Sequence, residues 1–125
     1  MSRPFEFSGR IRSFKYAFRG LRLMIRSQHN AWIHAAATLG AAGMGLGFRL
    51  SGPEWCWIIL AVAAVWTAEA LNTAFEFLAD ATTREFHPVV GQAKDVAAGA
   101  VLVTAIAAAA IGGIIFYPHV ARLAD

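Results

Sequence analysis

The stretch Glu54-Trp-Cys-Trp-Ile-Ile-Leu-Ala-Val-Ala-Ala-Val-Trp-Thr-Ala-Glu69-Ala-Leu-Asn72-Thr-Ala-Phe-Glu76-Phe-Leu-Ala79 decides the fold. After its first residue, three strongly polar side chains interrupt an apolar run: Glu69, Asn72 and Glu76. About 20 apolar residues at 1.5 Å each suffice to cross the hydrocarbon of a bilayer, so residues 54–79 are long enough for one span. Two further stretches flank it. Residues 31–50 meet only His34 and, at the far end, Arg49; residues 96–121 contain no Asp, Glu, Lys or Arg. Spans are therefore expected at 31–50, 54–79 and 96–118. Ser51-Gly52-Pro53 reads as a tight connection between the first two. Residues 80–94, with Pro88 and Gly91, read as a longer loop.

Composition supports the same class. Apolar side chains are 58% of the 125 residues and charged ones 15%, with a mean hydropathy of +0.51. A chain this short has too much surface for its volume to hide that much apolar side chain as a soluble monomer. The numbers exclude disorder and collagen-like repeats. The single cysteine, Cys56, excludes a disulfide scaffold and reads as a small apolar residue. The N-terminal region is basic for too long to read as a cleavable signal. One all-α membrane domain over residues 1–125 is the expectation.

Charge position sets orientation. Arg3, Arg10, Arg12, Lys15, Arg19, Arg22 and Arg26 precede the first span, and Arg84 and Lys94 lie on the second loop. Three spans put both regions on one side, which the positive-inside rule makes cytoplasmic, N-terminus included. Within residues 10–28, Ile11, Phe14, Phe18, Leu21 and Ile25 recur at helical spacing. Arg12, Lys15, Arg19, Arg22 and Arg26 follow one position later. The offset stripes describe an amphipathic helix lying on an anionic membrane surface rather than a coiled-coil seam.

Glu69, Asn72, Glu76 and Asp80 fall at roughly 0°, −60°, −20° and +20° around a helix, one narrow stripe. Glu76 and Asp80 reach the cytoplasmic end, while Glu69 lies about two turns deeper. Lys94 and Asp95 begin the next span at the same level. One such residue reads as a polar seam between helices. Four on one stripe beside a lysine read as function, because intramembrane acids are costly. Carboxylates and a lysine at a membrane surface suit Mg²⁺ and a polyphosphate. A deeper carboxylate suits taking a proton from a hydroxyl that only a lipid presents there. The pattern thus predicts phosphorylation of a lipid alcohol, although GxxxxGK[ST], HRD and DFG are all absent.

The string Glu69-x-x-Asn72-Thr73-Ala-x-Glu76-x-x-x-Asp80, with His87-Pro88 and Ala93-Lys94-Asp95, resembles the bacterial membrane diacylglycerol kinase and undecaprenol kinase family. Phe14-Lys15-Tyr16-Ala17, Gly20, Asn30, Ile33-His34 and Glu54-Trp55 fit too, so the similarity covers roughly residues 9–117. The resemblance implies a three-span homotrimer with sites between subunits, using MgATP in the bacterial cytoplasmic (inner) membrane. It implies Glu69 as general base and Glu76 as a metal ligand that also contacts ATP. Lys94 and Asp95 would hold the nucleotide, helped by Glu85, His87, Tyr16 and Arg12, with Asn72 and Asp80 in support. Gln28 stands where the family commonly has a glutamate that shares the metal. Its carbonyl can still ligate Mg²⁺ and touch the nucleotide, but it brings no negative charge.

Undecaprenol is favoured as acceptor over diacylglycerol, because Ile33-His34, Glu54-Trp55, Asn72-Thr73 and His87-Pro88 look more like that branch. A self-associating chain with a lipid alcohol and MgATP, and no nucleic-acid partner, is expected. Two other readings stand beside it. A small proton- or cation-coupled exporter would explain Glu69 but not the cluster at Glu76, Lys94 and Asp95. A catalytically impaired homologue would explain Gln28. His29, His34 and His119 lack metal-ligand spacing and read as interfacial or hydrogen-bonded. Gly43, Gly45 and Gly47, with Ala97, Gly99, Gly112 and Gly113, read as positions of close helix packing.

Overall fold

The computed structural model describes residues 4–125, which form four α-helices and no strand among the described residues. α1 covers Phe7–Ser27, α2 His29–Phe48, α3 Gly52–Thr82 and α4 Pro88–Ala121, followed by a 3₁₀ turn at Arg122–Ala124. α3 and α4 are long and apolar enough to cross a membrane. α2 is a continuous helix of 20 residues but falls short of that mark, since His29, Asn30 and His34 crowd its first turns and glycines dilute the rest.

Two hairpins organise the chain. α2 ends in a Schellman motif: the N–H of Leu50 bonds the carbonyl of Gly45 at 3.1 Å and that of Arg49 bonds Leu46 at 3.3 Å. Arg49 pays for this with a left-handed φ of 54°. Ser51 then caps α3 in a reciprocal box with Glu54, and Pro53 fits the first turn because its missing N–H has no helical partner there. Trp55 lies across Gly45: a Cβ at position 45 would sit 2.5 Å from the Trp55 ring and 3.1 Å from Leu50. Gly43, Gly47, Gly99, Gly112 and Gly113 have open space instead, so close packing is confined to Gly45. Trp55 is thus packed between helices. Around this corner Leu50, Ile58 and Phe116 form the buried core.

The second hairpin, α3 against α4, is the most extensive packing in the chain. Ion pairs pin it near both ends: Glu54 to His119 at 3.2 Å and Asp80 to Lys94 at 2.7 Å. The loop expected over 80–94 contracts to residues 83–87, and α4 begins at Pro88 rather than near 96. Proline at the first helical position starts the helix early, since its fixed φ is already helical. α1 starts three residues earlier than expected and ends one earlier, at Ser27, before Gln28. That residue is extended (φ −109°, ψ 121°) and serves both as C-cap of α1 and N-cap of α2.

Apolar surface remains abundant. Only 11% of the most apolar window of α4 is buried, and Leu102, Val103, Ile106 and Ile114 are exposed. Met24 is the buried residue of α1. Gly45→Ala is expected to destabilise the fold by about 1–3 kcal/mol, as overpacking does, whereas Gly47→Ala should be neutral or stabilising. Thermal unfolding in detergent checks the pair.

Candidate active site

The polar stripe on α3 divides by depth into three environments. Deepest is Glu69, with no exposed surface. Helix α2 runs antiparallel to α3 and brings His34 alongside, its Nε2 3.3 Å from Glu69 Oε2. The approach is off-line for a hydrogen bond: His34 Nε2 and both Glu69 oxygens lack a partner, as does Oδ1 of the buried Asn72. Thr73 donates its hydroxyl to the Glu69 carbonyl at 2.8 Å, a bond within the helix that leaves the carboxylate free. Four buried, unpartnered polar atoms in an apolar hairpin are costly and call for a functional explanation.

Two turns nearer the helix end, Gln28 donates its Nε2 to Glu76 Oε2 at 2.9 Å. The bond ties the α1–α2 corner to α3. Both residues are half-buried, so Glu76 is reachable from solvent. One turn further, the α3–α4 hairpin gathers Asp80, Glu85, His87 and Lys94, with Arg84, around a cleft of about 250 Å³. Asp80 and Lys94 form their ion pair there with side chains 68% and 38% exposed. Asp95 is exposed on α4 and does not line that cleft.

Arg12 and Tyr16 stand apart from all three. At 1.5 Å per residue they lie about 24 and 18 Å up α1 from Gln28. They border instead a polar hollow with Phe5, Glu6 and Arg10 near the start of α1. The chain therefore brings together Gln28 with Glu76, and Asp80 with Glu85, His87 and Lys94, but not these with Arg12 or Tyr16. His34 and Arg84 are the residues sequence reasoning left out. His34 was legible in principle: it lies 17 residues before Ser51 and Glu69 lies 18 after it, so a tight hairpin puts them level.

An ion could be held at the middle level. Among the described residues no cluster of three or more His, Cys, Asp or Glu side chains forms a ready-made metal cage. Mg²⁺ commonly takes only one or two protein carboxylates and fills the rest of its octahedron with phosphate and water. Glu76 supplies one carboxylate, and Gln28 supplies a carbonyl oxygen if its amide turns over.

Comparison with known proteins places the chain. The sequence pattern of prokaryotic diacylglycerol kinases matches residues 15–116. The undecaprenol kinase of Bacillus subtilis (strain 168) is 40% identical over 107 residues, covering 86% of this chain and 87% of that protein. A diacylglycerol kinase of Synechocystis sp. is 34% identical over 112 residues, covering 89% of this chain and 64% of its own length. The diacylglycerol kinase of Escherichia coli (strain K12) is 30% identical over 119 residues, covering 87% and 89%. These relatives and the matching family make the chain a membrane lipid kinase. The chain belongs to the prokaryotic diacylglycerol kinase family, and an exporter is set aside.

The Asp80–Lys94 pair is exposed, and such pairs add little stability. Asp80→Ala should leave the melting temperature nearly unchanged. A large drop would make the pair structural rather than a feature of the site.

Proposed function

We propose that the protein phosphorylates a membrane lipid hydroxyl with MgATP at the cytoplasmic face of the bacterial inner membrane, with undecaprenol preferred over diacylglycerol. The observation that carries this is Glu69, a buried carboxylate with both oxygens free, on the same helix face as a solvent-reachable Glu76. The acceptor hydroxyl approaches Glu69 from the lipid side. Glu69 takes its proton as the alcohol oxygen attacks the γ-phosphorus, and the bond from that phosphorus to the β-bridging oxygen breaks to release ADP. Glu76, with Gln28, would hold Mg²⁺ against the phosphates, where the ion offsets negative charge. Lys94 leaves Asp80 to meet the phosphoryl oxygens. Asp95, Glu85 and His87 hold the nucleotide from α4 and the turn. Asn72 supports the stripe at depth, and Asp80 keeps Lys94 at the site between turnovers.

The preference for undecaprenol rests on the higher identity to an undecaprenol kinase and on the Ile33-His34 and Glu54-Trp55 pairs. The reading takes three spans, with α2 as the first, and is supported by hairpins that keep α1 and the 83–87 turn on one side. The cations of that side make it cytoplasmic. α1 lies along the surface with its exposed phenylalanines in lipid. A homotrimer accounts for two observations at once: the uncovered apolar face of α4, and the distance of Arg12 and Tyr16 from Glu76 within one chain. α1 of one protomer would deliver both to the nucleotide of another.

Purified protein in mixed micelles, given labelled ATP and each lipid in turn, should label undecaprenol faster than diacylglycerol. Glu69→Gln should lose roughly 10²-fold or more, the usual worth of a general base. No labelled lipid over a wide Mg²⁺ range, with MgATP still bound, would instead identify a catalytically impaired homologue. Gln28→Glu should lower the Mg²⁺ concentration for half-maximal activity by adding a second carboxylate beside Glu76. An unchanged Mg²⁺ titration would remove Gln28 from the metal site.

A further inference from the structure

His34 is the one ionisable group within ion-pair distance of Glu69 among the described residues. Its setting is organised rather than incidental. Trp66, three residues before Glu69 on α3, stands edge-on to the imidazole with ring centroids 6.2 Å apart and planes at 69°. The Trp66 ring is itself fixed, because its Nε1–H donates to Thr38 Oγ1 at 3.0 Å. Thr38 in turn donates to the carbonyl of His34 at 2.7 Å. The loop of contacts closes on His34 and aims its ring toward the carboxylate. On its other side the ring borders a cavity of about 300 Å³ between α2, α3 and α4. The α4 wall there is Ala105, Ala108, Ala109 and Gly112, and the α3 wall includes Ile58, Ala61 and Val65, so neither offers a competing charge or hydrogen bond. The side chain keeps 13% of its surface, room for the small rotation that would bring Nε2 into line.

We infer that His34 is a positioning residue for the general base, an inference that rests on Glu69 acting as that base. The imidazole turns to donate Nε2–H to Glu69 Oε2, which fixes the carboxylate plane and presents Oε1 to the acceptor hydroxyl. The hydroxyl proton passes to Glu69, and the imidazole keeps its own proton throughout. A free carboxylate in an apolar hairpin would swing among rotamers. A single donor in an otherwise inert pocket removes that freedom without adding net charge. Long, poorly aligned contacts of this kind are common in active sites before substrate binds.

Two amide replacements separate positioning from mere polarity. Gln carries its amide nitrogen about as far from the backbone as His Nε2, whereas Asn stops near the place of Nδ1 and cannot reach Glu69. His34→Asn should lower kcat for lipid phosphorylation about 10- to 100-fold, the scale of losing a reactive geometry, with KM for ATP unchanged. His34→Gln should recover most of that loss. Both variants and Glu69→Gln are assayed as purified protein in the same micelles, with circular dichroism confirming helical content. Equal activity of the Asn and Gln variants, or a rise in KM for ATP matching the fall in kcat, would overturn the positioning role. Wild-type rates in both His34 variants beside an inactive Glu69→Gln overturn this inference alone. A fully active Glu69→Gln overturns the base assignment and this inference with it.

Discussion

Burying a carboxylate without exposed surface inside an apolar hairpin is the constraint on which the rest of this structure turns. Desolvation of Glu69 is costly in any register of α2 on α3. In the register observed, the one imidazole of α2 that lies at that depth stands 3.3 Å away. The corner at residues 45–55 sets this register. A Schellman stop, a left-handed Arg49, the Ser51–Glu54 capping box and a tryptophan laid on Gly45 leave the two helices little freedom to slide. A slip of one turn would move His34 about 5 Å along the axis and out of reach of Glu69. The placement of His34 beside Glu69 therefore depends on turn geometry at the opposite end of the helices.

The shallow level is held differently. Gln28 bonds Glu76 from the single non-helical residue between α1 and α2, so the direction taken by α1 and the placement of Glu76 are linked by one hydrogen bond. Pro88 starts α4 immediately after a five-residue connection, bringing Lys94 one helical turn and a half into α4 and level with Asp80. Neither contact is a source of much stability, because both lie in reach of water. Their value is positional: they hold a carboxylate and an ammonium where a polyphosphate could exchange for the partners they now have.

Much of this was readable from residue spacing. The stripe of Glu69, Asn72, Glu76 and Asp80 follows from 100° per residue, and the helical class follows from the apolar runs. Hairpin arithmetic about Ser51 would also have paired His34 with Glu69, Thr38 with Trp66 and Gln28 with Glu76, had it been applied across the turn. The sequence reading starts α4 too late because a proline and a glycine read as loop punctuation, whereas proline at a helix N-terminus is a favourable start. The packing of Trp55 on Gly45 is not legible from spacing, because an aromatic near a span end reads equally as an interfacial anchor and as a lid over glycine. What spacing could not give is the reach of α1, since Gln28 interrupts the helical register and leaves the direction of Arg12 and Tyr16 open.

The depth ordering also explains why the polar residues are spread over three helical turns instead of clustered at one point. In the proposed reaction a triphosphate carries several negative charges and its magnesium keeps a water shell, so both would belong at the exposed end with Glu76, Asp80 and Lys94. A lipid hydroxyl has the opposite preference, since its chain stays in hydrocarbon and only its polar end can rise. A base placed at the exposed end would be solvated and would meet water as readily as lipid. Placed two turns deeper, the base proposed here, Glu69, has no exposed surface, so bulk water has no direct path to it. On the proposed function, selection of a lipid over water as phosphoryl acceptor would come from the offset of seven positions between Glu69 and Glu76 on one face of α3. That spacing would carry the specificity even though the groove between α3 and α4, lined chiefly by alanines, leucines and valines, presents few polar contacts to a substrate.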